Sequence, residues 1–328
     1  MRYLSWTRFS HLVSFFKRKK LSLLRRNIRE FYRLRKTGQL GSINTILTWL
    51  RTDVNLKEEQ FLGVMFDNIS KNNYFSARFF TPNNILKIQS ALTGSLEKKA
   101  YCIPLKWRRN LEEKGLLVSY PKSELVWKWK AFLYWGYGIL YSFKVIFSIL
   151  KSKGKHDFKS TVYLHKVTEQ NLTKESHPEL KTIVNFMSDF LGREKIIAQM
   201  DKAPKQKEFT KNITIVSNPF TYLPKSKLFE FFIFSILLNT VGLFNLIFRD
   251  GEFAVLSIEL QNIKLAQLMP EDRIHAEYAF HNTNFSYQPA WTNIYKEKGA
   301  KISLYFYSMN CLPFHIDGHL KSPHFGYE

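Results

Sequence analysis

Residues 231–248, FFIFSILLNTVGLFNLIF, run eighteen positions without a charged side chain. A run of that length and polarity belongs either in a bilayer or in a protein core. Its few polar and small residues separate the two. Ser235, Asn239, Gly242 and Asn245 recur four, three and three apart, which places them on one stripe of a helix. Such a stripe suits close packing on another element, so a core helix is preferred to a membrane span. The neighbours agree. ITIVSNPF at 213–220 has the composition of a buried strand, and a second apolar run, GEFAVLSIEL, follows at 251–260. Strand, long apolar helix and further apolar element is the order of a buried βαβ layer.

A second long apolar segment spans 127–155, WKWKAFLYWGYGILYSFKVIFSILKSKGK. It is dense in Trp, Tyr and Phe, and the amphipathic rings of Trp and Tyr favour the headgroup zone of a membrane. Residues 131–150 as a helix would measure about 30 Å, just enough to span. Lys144 stands inside the run, at a cost of about 2.5–3.5 kcal/mol in a spanning helix. Lysines also flank both ends, Lys128 and Lys130 before, and Lys151, Lys153 and Lys155 after. The segment is therefore expected to lie in or against the interface, as a membrane-leaning helix over 127–150.

Charge identifies the partner class. Lys and Arg total 49 against 27 Asp and Glu, a net charge of +22. Residues 1–36 hold twelve of the cations and one acid, Glu30. Apolar positions there, Leu12, Phe15, Phe16, Leu21, Leu24, Ile28, Phe31 and Leu34, recur near helical spacing. A helix with one apolar and one basic face fits an anionic lipid surface or a phosphate backbone. Its aromatic and leucine content favours lipid, and no zinc-finger, basic-zipper or RNA-binding pattern supports nucleic acid. Membrane or phosphate contacts are assigned to Arg18, Lys19, Lys20, Arg25 and Arg26, with Lys128 and Lys130. The run Leu12–Phe16 is too short for a signal peptide's apolar core. Two cysteines, Cys102 and Cys311, cannot build a disulfide framework, which fits a reducing compartment.

Along the chain, residues 1–113 read as a basic, mainly helical region and 114–328 as an α/β domain. LLVSY at 116–120 is β-type and closed by Pro121. TVYLHKV at 161–167 alternates as a strand, 177–200 reads as a polar helix, and 201–212 as a loop. The stretch 273–291 is aromatic and turn-broken, 298–308 is a strand, and the last eighteen residues are an irregular tail. The expected fold is a Rossmann-like parallel sheet with flanking helices. Ligands of such sheets gather in loops after the strands' carboxyl ends, here 217–226 and 308–319.

Familiar catalytic motifs are missing: there is no P-loop, no G-x-G-x-x-G, no G-x-S-x-G and no H-E-x-x-H. His315, Asp317, His319 and His324 stand close together near the chain end, but their spacing matches no defended metal motif, so no metal or other cofactor is assigned. His275, Glu277, His281 and Asn282 form the other cluster. A loop histidine beside an apolar strand suits a general base for a sugar hydroxyl. His281 is assigned that role, with Glu277 orienting it. Asn282, Tyr287, Gln288, Trp291 and Asn218 offer amides and aromatic faces that suit sugar rings, and that equally suit ordinary core packing.

The stretch FHNTNFSYQPAWTNIYKEKGAKISLYFYSMNCLPF, 280–314, resembles part of bacterial surface-polysaccharide biosynthesis proteins of glycosyltransferase-like type. The resemblance lies in His281-Asn282, in Tyr287, Pro289, Trp291 and Thr292, and in Phe306-Tyr307-Ser308 with Asn310. Residues 114–130 and 161–172 resemble the start of the same proteins' first α/β domain. The resemblance implies a GT-B plan, in which a first Rossmann-like domain binds the acceptor and a second binds a nucleotide-sugar. Only the first is expected here, so either the chain is truncated, or a partner chain supplies the donor site, or the activity is not transfer. The implied protein is a membrane-associated, acceptor-binding half of a glycosyltransferase, acting in polysaccharide or lipopolysaccharide assembly. It would sit peripherally on the cytoplasmic face of the inner membrane, with anionic lipid or a lipid-linked sugar as partner. A non-enzymatic membrane adaptor and a nucleic-acid-binding protein are the alternatives.

Overall fold

The computed structural model describes residues 121–152, 158–167, 195–200, 213–281 and 288–305, with short pieces at 33, 59–66, 74–75, 79, 102–105, 107–109, 314–316 and 319–321. The basic residues Arg18, Lys19, Lys20, Arg25 and Arg26 lie outside these, as do the expected strand at 116–120 and most of the expected polar helix at 177–200. In chain order the elements are β1 (Glu59–Phe61), β2 (Val64–Phe66), α1 (Pro121–Lys151), β3 (Thr161–Leu164), β4 (Lys195–Gln199), β5 (Ile213–Val216), α2 (Leu228–Phe248), α3 (Glu252–Leu268), β6 (Glu277–His281), α4 (Trp291–Glu297), β7 (Lys301–Tyr305), β8 (Phe314–Ile316) and β9 (His319–Lys321).

The chain divides into two compact units. The first includes 75–127 and 313–322. Its described core is aromatic: Phe75 meets Trp107 edge-on at 5.9 Å, and Phe79 meets Trp127 at 5.0 Å. β8 and β9 pair antiparallel, so part of the tail expected to be irregular is a short hairpin.

The second unit includes 55–74 and 128–312. At its centre is a five-stranded sheet in the order β5-β4-β3-β6-β7, parallel throughout. The chain winds outward from β3 on one side, then returns to lay β6 and β7 on the other. This is the Rossmann-like arrangement expected from the sequence, with its direction reversing between β3 and β6. Strand alternation divides the core. Val162, Leu164, Ile196, Ala198 and Ala279 form one apolar cluster. Tyr163, His165, Tyr278 and Phe280 alternate with these residues and carry a second cluster with Trp291 and Tyr295 of α4.

Between β5 and β6 the chain makes a helical hairpin. α3 buries eleven of its seventeen residues, so it has no wide polar face. α2 buries Phe231, Phe234, Ser235, Leu238, Gly242, Asn245 and Leu246. The stripe noted in the sequence thus packs as expected, although Asn239 is only half-buried. Gly251 turns the hairpin at φ 77°, a left-handed conformation that glycine adopts without steric cost. Asn245 staples the turn: its Oδ1 accepts the Phe253 amide at 3.1 Å, and its Nδ2 donates to Asp250 at 3.3 Å.

α1 packs on both helices of this hairpin. Its Trp135 Nε1 donates to the Asn239 carbonyl at 2.9 Å, and Ser142 donates to Gln261 Oε1 at 2.8 Å. The residue pairing makes α1 antiparallel to α2 and parallel to α3. Each outer helix also leaves an apolar face uncovered: Trp129, Phe132, Tyr137, Leu140, Phe143 and Phe147 on α1, and Phe229, Phe232, Ile236, Phe244 and Phe248 on α2. By length and composition both helices could cross a membrane.

Candidate functional site at the carboxyl edge of the sheet

In an open parallel sheet, the crevice where strand order reverses is the usual place for a ligand. Here that crevice lies beyond the carboxyl ends of β3 and β6. After Leu164 the chain stays in register for a few residues. The His165 amide donates to Ala279 O at 2.9 Å, on the β6 side, and the Val167 amide to Gln199 O at 2.9 Å, on the β4 side. Lys166, between them, is held at φ 48°. A non-glycine residue in that region costs roughly 1–2 kcal/mol, and such strain is concentrated at functional positions. Nothing in the sequence around TVYLHKV marks Lys166 out.

The floor beneath the crevice is aromatic. The His165 ring lies 4.8 Å from Phe280 and 5.9 Å from Trp291, and Phe220 meets Trp291 edge-on at 5.5 Å. All these rings are buried. Deeper in the sheet, burial holds the Tyr163, Tyr278 and Tyr295 phenols well above the usual tyrosine range. Tyr222, at the edge of this cluster, is pushed up to about 12 by partial burial. The floor is therefore aromatic and buried, with Lys166 between its two backbone anchors at the rim.

The residues assigned from sequence fall in different places. His281 ends β6, at the crevice. Its side chain lies outside the described residues, as do Asn282 and Tyr287. Glu277 begins the same strand. Four steps along the strand put about 13 Å between their backbones, so Glu277 does not orient His281. Glu277 is instead buried at the opposite edge, where Ser303 Oγ donates to its Oε1 at 2.6 Å and Lys301 Nζ approaches at 3.9 Å. His275, its neighbour in the sequence cluster, also lies at that edge, 2.6 Å from Thr161 Oγ1.

Trp291 is 1% exposed. Phe220, Tyr278, Phe280 and Tyr295 crowd its ring, so it cannot stack on a sugar. Asn218 is also buried; its Oδ1 accepts the Phe220 amide at 2.8 Å, an Asx turn that bends the chain as it leaves β5. Gln288 donates to Thr292 Oγ1 and Asn293 Oδ1 at 2.8 and 2.9 Å, bracing the start of α4. Glu259 of α3, unmarked in the sequence, accepts the Ala290 amide there at 2.8 Å. Lys128 and Lys130 are half-buried on α1, with Lys130 Nζ 5.6 Å from the Tyr134 ring centre.

No curated protein and no solved structure matches this chain. Residues 242–328, about a quarter of the chain, match the family model described as "Polysaccharide biosynthesis PFTS motif protein". That segment includes α3, β6, α4 and β7, and its similarity to the family supports a part in polysaccharide biosynthesis.

Proposed function

We propose that this protein works at an anionic membrane surface in polysaccharide assembly, as the acceptor-binding part of a glycosyltransferase. The observation that carries the reading is the pair of uncovered apolar faces on α1 and α2, in a chain of net charge +22 whose final quarter resembles polysaccharide biosynthesis proteins. Apolar faces left exposed along two long helices mark an interaction surface, and cations beside them favour an anionic leaflet. The crevice between β3 and β6 is where a lipid-linked sugar acceptor would bind. Lys166 would contact its phosphate. His281 would take the proton from the acceptor hydroxyl as that oxygen attacks the anomeric carbon of a nucleotide-sugar and the nucleoside diphosphate departs.

The test combines location with chemistry. The full chain is expected to float with anionic vesicles. In cells, His281→Ala and Lys166→Gly are expected to reduce the polysaccharide while the protein stays folded. Lys166→Gly is especially informative, because it removes a cation and backbone strain together. Its stability should change by no more than about 1 kcal/mol, so a lost product could not be blamed on unfolding. Normal polysaccharide in both variants would sink the catalytic reading. It would leave the membrane adaptor, which needs no acceptor site.

A further inference from the structure

A cavity of about 630 Å³ opens far from the crevice, between the carboxyl end of α1 and the turn leading into α2. Ile149 and Ser152 line it from α1; Phe158 and Arg273, which precede β3 and β6, place it at the amino edge of the sheet. Its polar lining also includes Lys225, Ser226 and Asp272, with Tyr222 beside Phe158 at 5.3 Å, edge to face. Arg273 Nη1 donates to Tyr222 O at 3.1 Å, which fixes the guanidinium at the wall. Leu150, next to the lining residue Ile149, and Phe229, three residues after the lining residue Ser226, are both exposed, as are Phe147 and Phe232.

We infer that this cavity receives the headgroup of a phospholipid whose head carries hydroxyls, while the lipid's chains lie along the apolar faces of α1 and α2. The inference rests on the membrane-surface reading above. Two cations, Lys225 and Arg273, suit a phosphate diester. The Asp272 carboxylate accepts hydroxyl donors, and Ser152 and Ser226 both donate and accept. A bare phosphate would leave most of this volume empty, whereas a polyol phosphate uses both halves of the lining. The site is distinct from the crevice, because the two lie at opposite ends of the strands. It would orient the protein on the leaflet rather than hold the reacting sugar.

The experiment compares the full-length protein on two kinds of phosphatidylcholine vesicle matched for surface charge, one containing phosphatidylglycerol and the other a fatty acid. Phosphatidylglycerol is expected to bind about tenfold tighter. Lys225→Glu and Arg273→Gln are each expected to erase that preference, so that the two charge-matched vesicles bind alike. Lys225 is exposed, so its variant decides the matter should Arg273→Gln fail to fold. Equal binding to both vesicles, or a preference surviving in Lys225→Glu, overturns the headgroup site but leaves membrane binding standing. If neither vesicle binds, the membrane reading fails, and titration with soluble dihexanoyl phosphatidylglycerol decides the cavity. Binding that Lys225→Glu removes would sustain it, and no binding would overturn it.

Discussion

Gly138 has no room for a side chain. A methyl group there would collide with the Ser257 hydroxyl and its Cβ, at the point where Gln261 Nε2 donates to Gly138 O at 3.0 Å. Gly138→Ala is therefore expected to push α1 off α3 and cost about 1–3 kcal/mol, as overpacking does. Urea unfolding reads the loss; an unchanged midpoint would mean that the helices do not meet here. The buried phenols make a second prediction at this scale. Tyr163, Tyr278, Tyr295 and Tyr222 are all raised by burial. The native protein thus holds protons that the unfolded chain releases above about pH 10. Their contribution is complete below that pH and is lost as pH rises toward and past 12, so stability falls on the alkaline side. Absorbance at 295 nm should show part of the tyrosine titrating only together with unfolding. Complete titration of a still-folded protein near pH 10 would contradict the burial. Lys166 and Trp291 mark the limits of reading residues singly. Left-handed backbone at a lysine leaves no trace in composition, and a tryptophan suits a sugar face and a core equally until its neighbours are known.

Among elements, α2 was legible because its polar stripe repeats at helical spacing within an otherwise apolar run. α3 was not, and its apolar run fitted strand or helix alike, because a helix buried nearly all round has no contrasting face to set a period. β4 was hidden for a related reason: KIIAQ is a short apolar run fully buried beyond its first residue, and it was absorbed into the polar helix expected before it. β6 was masked by the polar residues at its ends, Glu277 and His281. The parallel sheet itself followed from the alternation of strands and helices, which survives such local errors. The two outer helices then invite a direct test. Trp129, Phe132, Leu140 and Phe143 are exposed on α1, so replacing Phe132 and Leu140 by Ser gives up little packing beyond the Phe132 ring contacts with Trp129 and Trp135. Thermal melting should move little, as for exposed sites generally. Vesicle flotation should fall several-fold, since about 25 cal/mol is lost per Å² of apolar surface no longer buried in lipid. Flotation unchanged in this variant would show that α1 does not meet the membrane.

For the molecule as a whole, cationic charge and apolar surface make opposite demands on salt, and that opposition separates the competing partners. A net charge of +22 attracts any polyanion, but attraction between exposed charges is screened within about 10 Å at 0.1 M salt. Apolar burial is not screened. A chain that uses both at a lipid surface should show vesicle binding that weakens between 50 and about 500 mM salt and then levels off above zero. A protein whose only partner is nucleic acid should lose nearly all binding over the same range, because each phosphate contact releases counterions. The parts can be removed separately. Replacing Arg18, Lys19, Lys20, Arg25 and Arg26 by Gln is expected to flatten the salt-dependent part and leave the plateau. The Phe132/Leu140 variant should lower the plateau and leave the slope. If the plateau is absent in the unaltered protein, the apolar faces have some other occupant and the membrane reading falls. If the slope persists after the five substitutions, the cations elsewhere in the chain carry the attraction, and the basic N-terminal segment is not what brings this protein to its surface.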